Sequence, residues 1–230
     1  RYDLGLSFPQ SWALVDASVS GTVRARYFFG RDVEGQATLS AKRWVGVWEE
    51  YAAASGQLAG GEWTFTLPPV GFVSGTPGAS GQGSVTIDAS VTDSTGHTQT
   101  VTEVLTITEA PVVLSLVPRS ATLKPGIPAE IVVDTQAPDG TPLGVRVEAT
   151  TVYFGYSGQH LGEAHDTVDT TNGIGLLTLQ PPADTGWADV TARAQLEGHS
   201  TSTTARIGGS YSDSGSFISL ARIDGSGPAS

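Results

Sequence analysis

Val85-Thr86-Ile87-Asp88-Ala89-Ser90-Val91-Thr92-Asp93-Ser94-Thr95-Gly96 alternates apolar and polar residues without a break and stops at a turn. Val85, Ile87, Ala89 and Val91 share one face, and Thr86, Asp88, Ser90 and Thr92 share the other. A period of two is that of a half-buried strand, and a helix would scatter these residues around its axis. Asp, Ser, Thr and Gly together are turn chemistry. A Thr-rich strand follows, opened by His97.

The same phrasing extends in both directions. Upstream, Val23, Ala25, Tyr27 and Phe29 alternate with Arg24 and Arg26, and Ala37, Leu39 and Ala41 alternate with Thr38, Ser40 and Lys42. The six residues Gly30-Arg31-Asp32-Val33-Glu34-Gly35 between them predict a β-hairpin. Downstream, Ile131 and Val133 lead to the turn Pro138-Asp139-Gly140-Thr141-Pro142-Leu143-Gly144, and Val145, Val147 and Ala149 follow at period two. Ala188, Val190, Ala192 and Ala194 then repeat the opening pattern, and Gly198-His199 repeats Gly96-His97.

The repeat has a consistent offset. Leu4–Pro9 aligns with Val113–Pro118 (118 − 9 = 109), Gly35 with Gly144 (144 − 35 = 109), and Gly96 with Gly198 (198 − 96 = 102). Solenoid repeats are only ~20–50 residues long, so the period means tandem domains. Each unit has room for about seven strands at sandwich spacing. The expectation is all-β: two tandem seven-stranded, immunoglobulin- or fibronectin-III-like β-sandwiches over 1–110 and 111–209. A linker and the start of a truncated third unit (Phe217–Arg222) occupy 210–230. Val45–Ala54 reads as an aromatic-rich strand rather than a short helix, and Pro68–Gly83 as a long flexible loop. Glu103 falls on the apolar face of Val101, Leu105 and Ile107, which predicts a bulge there.

Composition narrows the function. The 230 residues carry 12 Lys+Arg against 23 Asp+Glu, a net charge of −11. That opposes a nucleic-acid partner, which needs a basic surface, and an anionic membrane surface. No apolar run approaches the 18 residues of a membrane span. There is no Cys, which removes disulfides, thiolate zinc sites and a Cys nucleophile. There is no Met either, so the chain reads as a processed product or an excised piece.

Candidate chemistry is sparse. His160, Glu163 and His165 offer metal ligands, but not at helical zinc-motif spacing; on a strand His160 and His165 point to opposite faces, and Gly162 between them argues for a loop, so the segment reads as a solvated hairpin rim. Asp166, Asp169 and Asn172 lack the remaining ligands of a calcium loop. Asn172-Gly173 instead predicts a tight hairpin turn. His97 and His199 follow equivalent turn glycines, and no Gly-x-Ser-x-Gly elbow accompanies them; Gly78-Ala79-Ser80-Gly81 sits in the loose loop. Glu49, Glu50, Trp44, Trp48 and Tyr51 form an aromatic stripe that either packs or binds sugar. No catalytic, cofactor-binding or metal residue is assigned, no cofactor is required, and the chain is not expected to be an enzyme.

The run Ala25-Arg26-Tyr27-Phe28-Phe29-Gly30-Arg31-Asp32-Val33-Glu34-Gly35 resembles an Ala-x-Tyr-x-Phe/Tyr-Gly-x-x-Val-x-Gly signature of bacterial alpha-2-macroglobulins. Ala89-Ser90-Val91-Thr92-Asp93-Ser94-Thr95-Gly96 is similar to a second signature late in the same domain. The segment from Thr135 through Asp139 to Leu143 is similar to the next domain. Asp32 stands where the family often has Pro. The resemblance implies the third and fourth macroglobulin domains, fibronectin-III-like scaffolds in an exported protease trap that is extracellular, cell-surface or periplasmic. Its partners would be neighbouring domains of the parent chain, with proteases met only by the full-length protein. The family's thioester motif, Cys-x-Glu-Gln, is impossible here without Cys. The alternative is a pair of immunoglobulin-like stalk or glycan-binding modules from a bacterial surface adhesin; an accessory module of a secreted enzyme is a third reading.

Overall fold

The computed structural model describes residues 1–74 and 81–209. It contains fifteen strands and no helix among those residues. In the first half they are β1 (Tyr2–Ser7), β2 (Trp12–Leu14), β3 (Val19–Tyr27), β4 (Gly35–Trp44), β5 (Trp48–Gln57), β6 (Glu62–Leu67), β7 (Gln82–Asp93) and β8 (Thr98–Thr108). In the second half they are β9 (Val113–Pro118), β10 (Ala129–Gln136), β11 (Arg146–Gly155), β12 (His160–Asp169), β13 (Ile174–Leu179), β14 (Thr185–Leu196) and β15 (His199–Gly208).

Each half is a sandwich of two open sheets. The first has β1-β3-β6 facing β2-β8-β7-β4-β5, and the second has β9-β10-β13 facing β12-β11-β14-β15. This is the fibronectin-III-like arrangement, with a three-stranded sheet against a larger one. The first half has eight strands because its opening strand splits: β1 pairs with β3, and β2 then crosses to run parallel to β8. The second half makes the same crossing with a single bridge, Leu123 beside Gly209. Among the described residues no sheet mixes strands from the two halves. The buried apolar side chains form two clusters, one from Tyr2 to Ile107 and one from Ala110 to Ile207. Inward residues alternate with outward ones on β3, β4, β7, β10, β11 and β14, which buries one face of each strand as a sandwich requires.

Several sequence expectations are corrected. Thr22–Phe29 and Ala37–Lys42 are not a hairpin, because β3 and β4 belong to different sheets. The turn between them carries the chain across the sandwich, held by Val33 N–H to the Ala25 carbonyl at 3.2 Å. The repeat offset is 110, not 109. Leu6 pairs with Val23 as Leu116 pairs with Val133, and both members differ by 110 (116 − 6; 133 − 23). Gly35 corresponds to Val145 rather than Gly144, since each carbonyl accepts the amide of the residue just after the partner strand, Leu58 after β5 and Thr170 after β12. A one-residue slip exchanges the two faces of a strand, so the distinction matters.

The offset then records where the copies differ. It becomes 112 at β5 and β12 (160 − 48), because the pair Trp44/Trp48 encloses three residues at its turn and the equivalent pair Phe154/His160 encloses five. It falls to 103 at β7 and β14 (185 − 82), because nine residues of the 68–81 loop have no counterpart. It ends at 102, with Val101 opposite Ala89 and Thr203 opposite Ala192 (203 − 101).

The stretch Val45–Ala54 is extended, as expected, from Trp48 onward, while 45–47 form the turn that leads into it. The described part of the Pro68–Gly83 loop is tied down rather than loose. Val70 and Val73 are buried, Arg43 donates to the Val70 carbonyl at 2.8 Å, and β7 already begins at Gln82. No bulge occurs at Glu103: the β7–β8 register is unbroken and Glu103 is exposed. The neighbouring strand β2 covers β8 only at Thr106–Thr108, so Glu103 reaches water past the open edge. The expected third unit at Phe217–Arg222 lies outside the described residues.

The predicted Asn172-Gly173 turn is present. Both residues have positive φ (49° and 81°), and Thr171 and Ile174 exchange two backbone hydrogen bonds across it. Gly60-Gly61 does the same between Ala59 and Glu62. Replacing Asn172 by Ala is expected to cost about 1 kcal/mol, since Ala gains no local hydrogen bond in left-handed backbone. A lower urea midpoint for Asn172→Ala, with Asn172→Gly close to the parent, is the outcome that checks it.

Candidate functional site

The candidate site is the end of the first sandwich at which β1 begins. Four segments converge there: the start of β1, the turn at 28–34, the turn at 58–61 and the turn at 93–97. Tyr2 is fully buried, and its hydroxyl donates to the Val91 carbonyl and accepts the Gln99 amide. It thereby fastens the first strand to the β7–β8 turn.

Asp93 organises that turn. Its Oδ1 accepts the Thr95 amide at 2.9 Å, the Thr95 hydroxyl at 2.6 Å and the His97 amide at 3.0 Å, and its Oδ2 accepts the Tyr27 hydroxyl at 3.0 Å. The Thr95 hydroxyl, then the two amides and the Tyr27 phenol, hold its carboxyl far below the usual range against the opposing effect of burial. Tyr27 moves the other way, raised by burial and then by the same carboxylate. The aromatic rings extend outward from this lock: Tyr2 edge-on to Tyr27 and to His97, each at 5.8 Å, and Phe29 stacked on Tyr27 at 5.1 Å. Phe28 and Phe29 are 71% and 76% exposed. The turn that carries them has Gly30 at φ 90°, a conformation glycine adopts without strain.

The second half closes its equivalent end differently. Thr135 and Thr170, both buried, hydrogen-bond at 2.8 Å, and Asp139 accepts the Thr141 amide at 2.9 Å to shape the turn. The two halves touch through His199, whose Nε2 lies 3.2 Å from Asp16 in the loop between β2 and β3.

The other candidates disperse. His165 lies 3.0 Å from Glu163 and 3.1 Å from the Thr150 hydroxyl. A register shift beside Leu161 places His160 opposite Phe154, Glu163 opposite Val152 and His165 opposite Thr150. All three therefore share one outward face, contrary to the alternation expected for a regular strand. Gly162, at φ 159°, was the sequence signal for that irregularity. Among the described residues no three His, Cys, Asp or Glu side chains are placed to hold a metal ion. Asp169 is paired through both oxygens with Arg146, at 2.9 and 3.1 Å, which holds its carboxyl below the usual range. Gly78, Ala79 and Ser80 lie outside the described residues.

The aromatic stripe divides. Tyr51 packs on the first core, its buried hydroxyl lacks a hydrogen-bond partner among the described residues, and burial pushes its pKa to about 12. Trp44 and Trp48 instead face each other across the β4–β5 turn at 5.4 Å, 40% and 49% exposed. Glu49 pairs with Arg43 and Glu50 accepts the Ser40 hydroxyl. No helix among the described residues is long and apolar enough to cross a membrane.

No protein-family model and no curated protein matches the chain. Among solved structures it is similar to trypsin-activated alpha-2-macroglobulin from Escherichia coli, at 13% identity and TM-score 0.46, over 93% of this chain and 17% of that one. It is also similar to the native conformation of the Escherichia coli protein, at 12% identity and TM-score 0.41, over 93% and 16%. A third is Salmonella alpha-2-macroglobulin reacted with methylamine, at 16% identity and TM-score 0.41, over 92% and 17%. The chain spans less than a fifth of the length of each of these proteins.

Proposed function

We propose that the chain is a pair of non-catalytic scaffold domains, of the third and fourth macroglobulin type and divided at 110/111, from an exported bacterial alpha-2-macroglobulin-like protease trap. The observation that carries this reading is the Tyr27–Asp93 hydrogen bond. It joins the two signature segments, which are more than sixty residues apart in sequence, at one end of one sandwich. Apart from the exposed Phe29, their distinctive residues are used up structurally: Val33 is buried in the core, Gly35 leaves room for β7, Asp93 and Thr95 form the turn, and Gly96 (φ 85°) closes it. A signature whose members satisfy one another preserves a shape rather than a reaction. Neighbouring domains of the same parent chain are the partners of such a module, and proteases meet only the whole protein.

The direct test is gel filtration of the chain with excess trypsin. The expected result is separate elution and undiminished trypsin activity, and co-elution of active trypsin would reject the reading. The exposed Trp44–Trp48 pair favours one competing reading, the glycan-binding module, because two indoles at a turn can stack on sugar rings. The same scaffold reading expects no change in Trp fluorescence on titration with polysaccharides. A saturable change lost in Trp48→Ala would replace it with the glycan-binding one.

A further inference from the structure

Phe28 and Phe29 are the two most exposed large apolar side chains among the described residues. Their equivalents in the second half are Pro138 and Asp139 (138 − 28 = 110). The two turns have the same backbone: Gly30 N–H to the Tyr27 carbonyl at 2.8 Å matches Gly140 N–H to Ala137 at 2.9 Å, and φ is 90° and 88° at the two glycines. Pro and Asp suit such a turn in water. The turn geometry therefore does not call for phenylalanine, and two adjacent rings in solvent point to a cover.

The molecule itself shows how an equivalent end is covered. His199 corresponds to His97 (199 − 97 = 102), and its imidazole meets Asp16 in a loop of the half that precedes it. The chain enters the second half at that same end. Strand β1 likewise starts beside the exposed rings, with Tyr2 opposite Tyr27, so anything joined to Arg1 is delivered there.

We propose that Phe28, Phe29 and His97 form the seat for a folded domain joined upstream of Arg1, one that presents apolar side chains to the rings and a carboxylate to the imidazole. This rests on the scaffold reading above. Two phenylalanines and a histidine fall short of the ~1,000 Å² that an independent partner or a stable dimer requires. A domain tethered a few residues away needs far less, because its effective concentration is in the millimolar range (about 1 mM or more). Stacking on Tyr27, itself anchored to Asp93, fixes Phe29 before contact and lowers the ordering cost of association.

Hydroxyl-radical footprinting of this chain and of the full reading frame tests the proposal. Oxidation of Phe28 and Phe29 is expected to be about fivefold or more slower in the longer protein, as for side chains in an interface core. Equal oxidation in the two overturns it. So does concentration-dependent protection in the isolated chain, which would assign the rings to a second copy. Equal oxidation in a longer protein that still retains trypsin removes this seat and leaves the scaffold reading intact. Protection in a longer protein that retains no protease upholds the seat and rejects the trap.

Discussion

Gly35→Ala lowers the melting temperature of the first sandwich by on the order of 15 °C and leaves the second where it was. A Cβ at Gly35 would overlap the Thr92 carbonyl oxygen and come within 3.0 Å of Asp93 Cα. Both atoms belong to the backbone of β7, which is paired to β4 along its length, so neither can swing aside. Overpacking against a fixed backbone costs about 3 kcal/mol, a large part of the ~5–15 kcal/mol that holds a domain. At roughly 4–8 °C per kcal/mol for a unit of this size, the shift is easily seen by calorimetry. Gly5→Ala is the control, since a Cβ there meets nothing within 4 Å. Because the two apolar clusters share no residue, one transition should move and one should stay. If both fall together, the proposed division at 110/111 is wrong.

Gly35 also shows what the sequence could and could not disclose. Strands and their inward faces were readable because Val85, Ile87, Ala89 and Val91 alternate, and all four are fully buried. The two tight turns after β7 and β14 were readable for the same reason: Asp93, Gly96 and Gly198 are residues that turns demand. Sheet membership was not readable. The segments flanking Gly30–Gly35 have the pattern of a hairpin, yet the connection crosses the sandwich, and period-two alternation is identical in the two cases. The true offset of 110 was hidden because Gly144 sits one place before Val145, and glycine invites alignment with glycine. Gly162 signals an irregularity between His160 and His165, but whether it loops out or shifts the register by one, and so brings both imidazoles to one face, depends on the partner strand β11. Of the candidate site, Tyr27 and Asp93 were recognised as signature residues. That they bond to each other depends on tertiary approach, and no spacing encodes it.

Asp93 sets the acid limit of the first sandwich. Its carboxylate receives four hydrogen bonds and is buried. Its folded pKa is depressed, chiefly by the Thr95 hydroxyl. In the unfolded chain an Asp takes up its proton near pH ~3.9. Above that pH both states are ionised and the full stabilisation is present. As the pH falls further the unfolded state binds the proton first, and the stabilisation drains away until the folded carboxyl protonates too. Asp88, lowered by Thr102 and then Lys42, contributes in the same direction. In Asp93→Ala three donors and the Tyr27 phenol lose their acceptor, and the melting temperature at pH 7 should drop by on the order of 10 °C. Asp93→Asn separates charge from shape. Its amide oxygen can still receive Thr95 and His97, so it should fall less at pH 7, and its curve should be flatter between pH 5 and 2 and converge with the parent at the acid end. A parent and an Asp93→Asn protein that lose stability with the same slope below pH 4 would show that the Tyr27–Asp93 lock does not carry the acid sensitivity. The end of the sandwich that presents Phe28 and Phe29 would then be held by Tyr2 and the packing of its neighbours alone.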